Sequence, residues 1–392
     1  MTRTWTRAST VVLAVFLTAT APTATNDPVP MTVHEWGTFT SIAGEDGSAV
    51  RWYPLSGPQD LPCFVERVRL GIKPSLAGTV RMETPVLYFY APQDTTIDVA
   101  VRFRQGFITE WYPRATVTPA IVSVTDIRKP GLESRIAWND VLVSPRGSST
   151  FPTEEGDSHY YAARATKAAP LSVRSQREKF LFYRGVGNFA PPLAAIASAD
   201  GTVVISNPAA TAVGRVILFE RRGDAIGYRV GHSAGDQLSL REPELGALDS
   251  KALRRELLQV LVAEGLYEEE AAAMIETWRD SWFEEGTRLF YIASRDVVDA
   301  ILPLDVRPVP TDVARVFVGR LELLTPRILQ EVRAAIVSGD HATFRKYGRF
   351  AEPIVSRLLA AAGPAERAAL EEQVKASYAS VYSAARPGVV CQ

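Results

Sequence analysis

From Met31 to Ser239 the chain alternates short apolar and polar runs. Val, Ile, Thr, Tyr and Phe fill the runs, and Gly, Pro, Asn and Asp cluster between them. The pattern predicts strands over Thr32–Ser41, Val80–Tyr90, Asp98–Phe103, Phe107–Tyr112, Ile121–Ile127, His159–Arg164, Lys179–Tyr183, Thr202–Ile205, Arg215–Glu220 and Ala225–Val230. Turn clusters fall at Gly44–Gly47, Pro92–Asp94, Asp200-Gly201 and Arg222–Asp224. Parallel pairing needs crossover segments of about a dozen residues, and little room is left for them. The expectation for residues 27–241 is therefore an antiparallel β-sandwich or a barrel-like domain.

The period changes near Glu242. Leu253, Leu257, Leu258 and Leu261 recur at helical spacing, and Gly265 reads as the C-cap. A second helix is expected to carry Ala271, Met274, Ile275, Trp278 and Trp282 on one face and to stop at Gly286. Two strands follow, Arg288–Ile292 and Arg315–Leu324, separated by the turn-rich Leu302–Thr311 and expected to pack this region back onto the β-domain. Thr325-Pro326 reads as an N-cap with Pro at the first helical position, for a helix ending at Gly339. Further helices break at Gly348 and Gly363-Pro364. The fold class expected is α+β, with a mainly helical region over residues 242–392.

The N-terminus refines the compartment. Arg3 and Arg7 precede a short apolar run, Val11 to Ala21, and small residues follow. This predicts a signal peptide over residues 1–26, cut between residues 19 and 26, and an exported chain in the periplasm or outside the cell. No later stretch reaches the length of a membrane helix, so no span is expected in the mature chain. Cys63 and Cys391 form either one bridge, tying the tail to the β-domain, or two separate thiols. Lys and Arg total 43 against 44 Asp and Glu, which leaves no basic excess to neutralise a phosphate backbone, so no nucleic-acid partner is expected.

Candidate chemistry sits among aromatic residues. In His34-Glu35-Trp36-Gly37-Thr38-Phe39, period two puts Glu35 on a face with Val33 and Phe39, and His34 on the face of Trp36. A carboxylate on a buried apolar face must be paired, protonated or ligating. Glu83 and Glu110 occupy similar settings, the latter beside Trp111 and Tyr112. One reading is a sugar site, with Glu35 and Glu110 as the catalytic pair and Trp36, Trp111, Tyr112 and Arg184 binding substrate. Another is a metal site built from His34, His159 and Glu83. The structural alternative is a set of Glu–Arg pairs inside a β-core, with Arg81, Arg102, Arg164 or Arg184 as partners. Glu276, Asp280 and Glu284 form a like-charged stripe at helical spacing, which needs a compensating Arg279, Arg288 or bound cation. Gly231-His232-Ser233-Ala234-Gly235 fits the nucleophile-elbow pattern, but Asp236 to Leu240 alternate like a strand, whereas an elbow leads into a helix.

The blocks His34–Ser41 (HEWGTFTS), Met82–Tyr90 (METPVLYFY) and Glu178–Gly185 (EKFLFYRG), with Thr277-Trp278 through Trp282–Gly286, resemble those of a family of exported bacterial proteins with no established activity. The resemblance implies an exported bacterial protein and carries no catalytic residue across. The leading functional expectation is an extracytoplasmic binding or assembly protein that presents an aromatic–carboxylate surface to a glycan or protein ligand. The alternatives are a glycan-acting hydrolase using Glu35 and Glu110, and a serine esterase using Ser233.

Overall fold

The computed structural model describes residues 28–55, 61–68, 76–119, 131–155, 158–208, 210–211, 213–232, 235–247 and 250–384. The signal segment, Ile121–Ile127, Ser233 and Cys391 lie outside them. The described strands are, in chain order, β1 (Val29–Ile42), β2 (Glu66–Arg67), β3 (Val80–Tyr90), β4 (Thr95–Arg104), β5 (Gly106–Tyr112), β6 (Thr116–Thr118), β7 (Glu133–Val143), β8 (Leu171–Val173), β9 (Gln176–Glu178), β10 (Leu181–Gly187), β11 (Ala194–Ala197), β12 (Thr202–Ser206), β13 (Arg215–Arg222), β14 (Ala225–His232), β15 (Gln237–Arg241), β16 (Gly246–Ala247), β17 (Gly286–Ala293), β18 (Leu304–Arg307) and β19 (Pro310–Leu323). The described helices are α1 (Lys251–Ala263), α2 (Glu268–Thr277), α3 (Arg279–Trp282), α4 (Arg295–Ile301), α5 (Pro326–Ser338), α6 (His341–Lys346), α7 (Ala351–Ala361) and α8 (Pro364–Ala384). The fold is mixed α+β, with large sheets and helices concentrated toward the C-terminus.

Ten strands form the main sheet, in the order β16-β14-β13-β17-β19-β1-β3-β10-β5-β2. None of the sheets closes into a barrel among the described residues. At the centre β1 pairs with β19 in parallel, against the expectation of a purely antiparallel sheet. The crossover that parallel pairing demands is supplied by most of the chain rather than by one helix. The two strands expected to carry the C-terminal region back, now β17 and β19, are integral to the sheet, which therefore runs through the expected boundary at residue 241.

Both faces of the main sheet are covered. On one side Val33, Phe39, Met82, Leu87, Tyr183 and Phe317 meet Val99, Phe103, Ile136 and Trp138 of a six-stranded sheet built from β18, β4, β7, β8, β9 and β6. On the same side Leu218, Leu289 and Leu321 meet the three-stranded sheet β11-β12-β15. On the other side Trp36, Val86, Tyr88, Phe290 and Val318 lie under Leu253, Leu257, Met274 and Trp282 of α1 to α3. Ile42 and Trp52 continue that surface beneath α5 to α7.

Local rules explain several ends. Thr325 accepts from Ile328 N, Pro326 opens α5, and Gly339 ends it at φ 70°, as the sequence indicates. The helix expected to run past Trp278 breaks there into α2 and α3. His159–Arg164 is a 3-10 turn rather than a strand, because the Ser158 side chain caps it and Tyr160 is drawn into the helix-side core. β7 and α4 escaped the sequence pattern.

Gly319, at the centre of β19, is required by packing. A Cβ there would lie 2.0 Å from the Tyr291 ring, whereas one at Gly214 would meet nothing within 4 Å. Gly319→Ala is expected to lower the unfolding free energy by roughly 2 kcal/mol or more, and Gly214→Ala to leave it within about 0.5 kcal/mol. Urea titrations of the two variants check the contrast.

Candidate functional site

The expected site residues separate on the two faces of the sheet. Glu35 lies on the side of the six-stranded sheet and is fully buried. It accepts from Tyr183 Oη at 2.6 Å and from Arg315 Nε at 2.6 Å. Burial first, and then the Glu35 carboxylate, push the Tyr183 hydroxyl well above its ordinary range, so it stays a donor. Glu110 is buried on β5, accepts from the Thr109 hydroxyl, and stands opposite Arg184 and Arg67 in the ladders. Two strands, β3 and β10, separate β1 from β5. Three ladder spacings amount to about 14 Å, beyond the roughly 5–10 Å of a glycosidase pair. Tyr183 and Arg184 are consecutive, so the carboxylates beside them also face opposite sides. The catalytic pair is not formed.

The expected substrate platform is likewise interior. Trp36 and Tyr112 are buried, Trp111 is half-buried, and Arg184 is only 3% exposed. Trp36 packs on Tyr88 and Tyr112 on Phe64. An aromatic row open to a glycan does not exist at these residues, because a second layer covers each face of β1, β3, β5 and β10.

The three expected metal ligands lie in three places. His34 Nδ1 meets Glu270 Oε2 at 2.6 Å, and the same carboxylate accepts from Tyr90 Oη and from the Tyr267 amide at the start of α2. This set ties the helical hairpin to β1. His159 Nε2 pairs with Asp280 at 2.7 Å. Glu83 is surrounded by arginines. Among the described residues no group of three or more His, Cys, Asp or Glu could hold a metal ion. The carboxylate stripe is dispersed by the break at Trp278: Glu276 goes to Arg254 and Arg279, Asp280 to His159, and Glu284 to Arg320.

Glu83 marks where the blocks picked out in the sequence converge. It lies on the helix side of β3, just before a break in the pairing. Register shifts occur between Trp36 and Thr38 on β1 and between Phe182 and Gly185 on β10. At the same level Thr84 sits at φ 47°, a conformation that is costly for a β-branched residue. The irregularity at Thr84-Pro85 lets Arg81 and Glu83 share a face with Val86 and Tyr88, which strict alternation forbids.

From Glu83 a line of ionised groups of alternating sign crosses the seam between sheet and helices. Arg81 Nε is 3.2 Å from Glu83, which also pairs with Arg349. Arg349 approaches Glu284 at 3.7 Å, and Glu284 meets Arg320 at 2.5 Å. Glu322 then bridges Arg320 at 2.6 Å and Arg288 at 2.8 Å. The hydroxyl of Thr40 donates to Glu83, and Ser281 Oγ accepts from both Arg320 and Arg349. The guanidiniums of Arg349 and Arg320 also lie over the Phe350 ring, at 5.0 and 5.3 Å. Thr38 Oγ1, in register with Glu83 and fully buried, has no hydrogen-bond partner among the described residues.

Electrostatics keep Glu83 and Glu284 charged. Burial pushes the Glu83 carboxyl up, but Arg349, Arg81, Arg320 and Arg184 outweigh it and hold it at about 2. Glu284 is also lowered, with burial overcome by Arg320 and Arg349. Glu83 and Arg184 were singled out in the sequence. Arg288 was named only as a partner for the carboxylate stripe, and Thr38, Thr40 and Arg320 were not singled out, although both threonines stand in the HEWGTFTS block. Arg349 gave no sequence signal, since an isolated Arg in a helical region is ordinary.

No family model matches the chain, and no curated protein matches it.

Two outcomes separate the buried networks. Glu35→Gln leaves Arg315 without its buried counter-ion and is expected to cost about 3–5 kcal/mol in urea unfolding. For Glu83 the folded-state pKa is depressed, from 4.5 to about 2. Its contribution is thus complete above pH 4.5 and is lost as pH falls toward 2. The stability difference between wild type and Glu83→Gln is expected to shrink by about 3 kcal/mol over that window, measured by urea titration at stepped pH. A pH-independent difference would contradict the ionised carboxylate.

Proposed function

We propose that the protein is an exported binding protein whose ligand is a small molecule carrying ionised groups, taken at the seam around Glu83, Arg349 and Glu284. One observation carries this reading: seven ionised side chains alternate in sign across a largely buried seam at the level where three neighbouring strands are irregular. Buried ion pairs are a poor source of stability, and apolar residues of similar volume would hold the layers together as well or better. Strain at Thr84 and an unpartnered hydroxyl at Thr38 add to that cost. Costs that gather at one place are characteristic of sites arranged for a ligand.

Binding is favoured over catalysis by the chemistry present. A general acid or base working near neutral pH needs a pKa close to neutrality. Glu83, held at about 2, is too acidic for that role. The hydrolase reading loses its geometry with the separation of Glu35 from Glu110. For the esterase reading, Ser233 lies outside the described residues, and the chain continues into strand β15 rather than a helix. Export is supported by the charged, short-apolar, small-residue pattern at the N-terminus. No helix among the described residues is long and apolar enough to cross a membrane.

The reading is tested by the melting temperature of the purified chain against amino acids including L-arginine, dicarboxylates, inorganic phosphate and neutral oligosaccharides. A ligand of the folded state raises it with dose. The expected result is a rise with one or more of the charged compounds, none with the neutral sugars, and loss of the response in Glu83→Gln. A response to sugars alone, or to charged compounds equally in wild type and variant, removes the seam as the site.

A further inference from the structure

Within the chain of alternating charges one link differs from the rest. Arg81, Arg320 and Arg288 stand on the main sheet and are almost completely buried. Arg288 is further fixed by the carbonyls of Trp282, Glu284 and Glu285. Arg349 comes from the C-terminal helical layer, on the short turn Gly348–Phe350, and its side chain is 14% exposed. It reaches down between Glu83 and Glu284 and pairs with both. The turn itself is held independently. Phe350 is buried with Trp52, Tyr347 donates to Glu331, and Lys346 pairs with Glu285 and Glu331. The Arg349 side chain can therefore leave while its backbone stays.

Its departure would leave two carboxylates facing one space. Arg81 stays beside Glu83 and Arg320 beside Glu284. Glu83 is fully buried and Glu284 half-buried; two like charges facing one space without a cation between them repel, so the space accepts a positive group. The acceptors already present define its shape. Glu83 accepts from one terminal nitrogen of the guanidinium, Ser281 Oγ accepts from the other, the Glu284 carboxylate lies 3.7 Å from that second nitrogen, and the Phe350 ring offers a face for stacking.

We infer that the space filled by the Arg349 guanidinium is a cation subsite, that Arg349 is its internal occupant, and that the ligand displaces it with a guanidinium or primary ammonium group. The inference rests on the seam being the ligand site, and it narrows the ligand to a guanidino or amino compound.

The test empties the subsite and refills it. In the purified chain, Arg349→Ala is expected to melt below wild type. Millimolar methylguanidine is expected to restore at least half of that loss, while methylurea, its neutral analogue, restores none. By calorimetry, methylguanidine should bind Arg349→Ala about tenfold or more tighter than wild type, where the native side chain competes. Adding Glu83→Gln should abolish both effects. If Arg349→Ala does not fold, Arg349→Gln, which keeps length but not charge, serves the same comparison. Equal affinity for variant and wild type, or rescue that survives Glu83→Gln, overturns the inference. If wild type responds to charged ligands through Glu83 but the variant takes no methylguanidine, the binding site stands and the cation subsite falls. If neither responds, both fall.

Discussion

The parallel pairing of β1 with β19 is the constraint on which the rest of the molecule depends. It joins residues 280 positions apart in the chain, so both of these strands must be present before the centre of the main sheet exists. Its register decides two things at once. Glu35 stands beside Arg315, and Thr40 beside Arg320, as Cα partners in the same ladder. The first pair points toward the six-stranded sheet and the second toward the helices. A slip of one residue would exchange the two faces of β19, carrying Arg315 to the wrong side and replacing Arg320 with an apolar or glycine position. The Glu35–Arg315 pair, joined by Tyr183, thus acts as a registry device, which is the best-attested use of a buried ion pair.

The two charge networks on opposite faces of β1 are built from similar residues but differ in closure. Around Glu35 the carboxylate is filled by one guanidinium and one phenol, both buried, and Asp299 on α4 takes the remaining end of Arg315. All of that serves to align strands. Around Glu83 the network extends over three layers and takes its middle group from an element that neither α1–α3 nor the sheet controls. Closure explains why the first network reads as structure. Dependence on a single, partly exposed side chain explains why the second can exchange a partner. The irregular backbone at Thr84-Pro85 belongs to the second alone, and it turns Arg81 and Glu83 toward the helices.

Much of the strand pattern was legible in the sequence because half-buried strands declare themselves by period and composition. β3 falls on the residues that the pattern marks, and the cap signals at Thr325, Pro326 and Gly339 act as expected. Failures follow from physics that acts at longer range. The aromatic run at His159–Arg164 has strand-like composition, yet a local Ser158 cap and a place for Tyr160 in the core make it a turn. Parallel pairing of the first strand with a late one leaves no local mark, since each strand looks the same whichever neighbour it takes. The candidate site divides in the same way. Glu83 and Arg184 were legible as charged residues in apolar company, whereas Arg349 becomes notable only where the fold brings it.

The same limit governs the aromatic–carboxylate segments. Glu35-Trp36 and Glu110-Trp111-Tyr112 have the residue types of a sugar platform and equally those of a core ion-pair network. Period two says which residues share a face but not what covers that face. Here both faces are covered, and apolar burial of Trp36, Tyr88 and Phe182 on the helix side is worth about 1.5–3 kcal/mol for each large side chain. Opening that face to a glycan would forfeit this for several residues at once, against a folding free energy of about 5–15 kcal/mol. A polar seam demands no such sacrifice. Its groups are already hydrogen-bonding and ionised, so a ligand that replaces one guanidinium by another exchanges contacts of like kind. That difference in cost, more than residue type, favours Glu83 and Arg349 over Glu35 and Glu110 as the proposed place for a charged ligand.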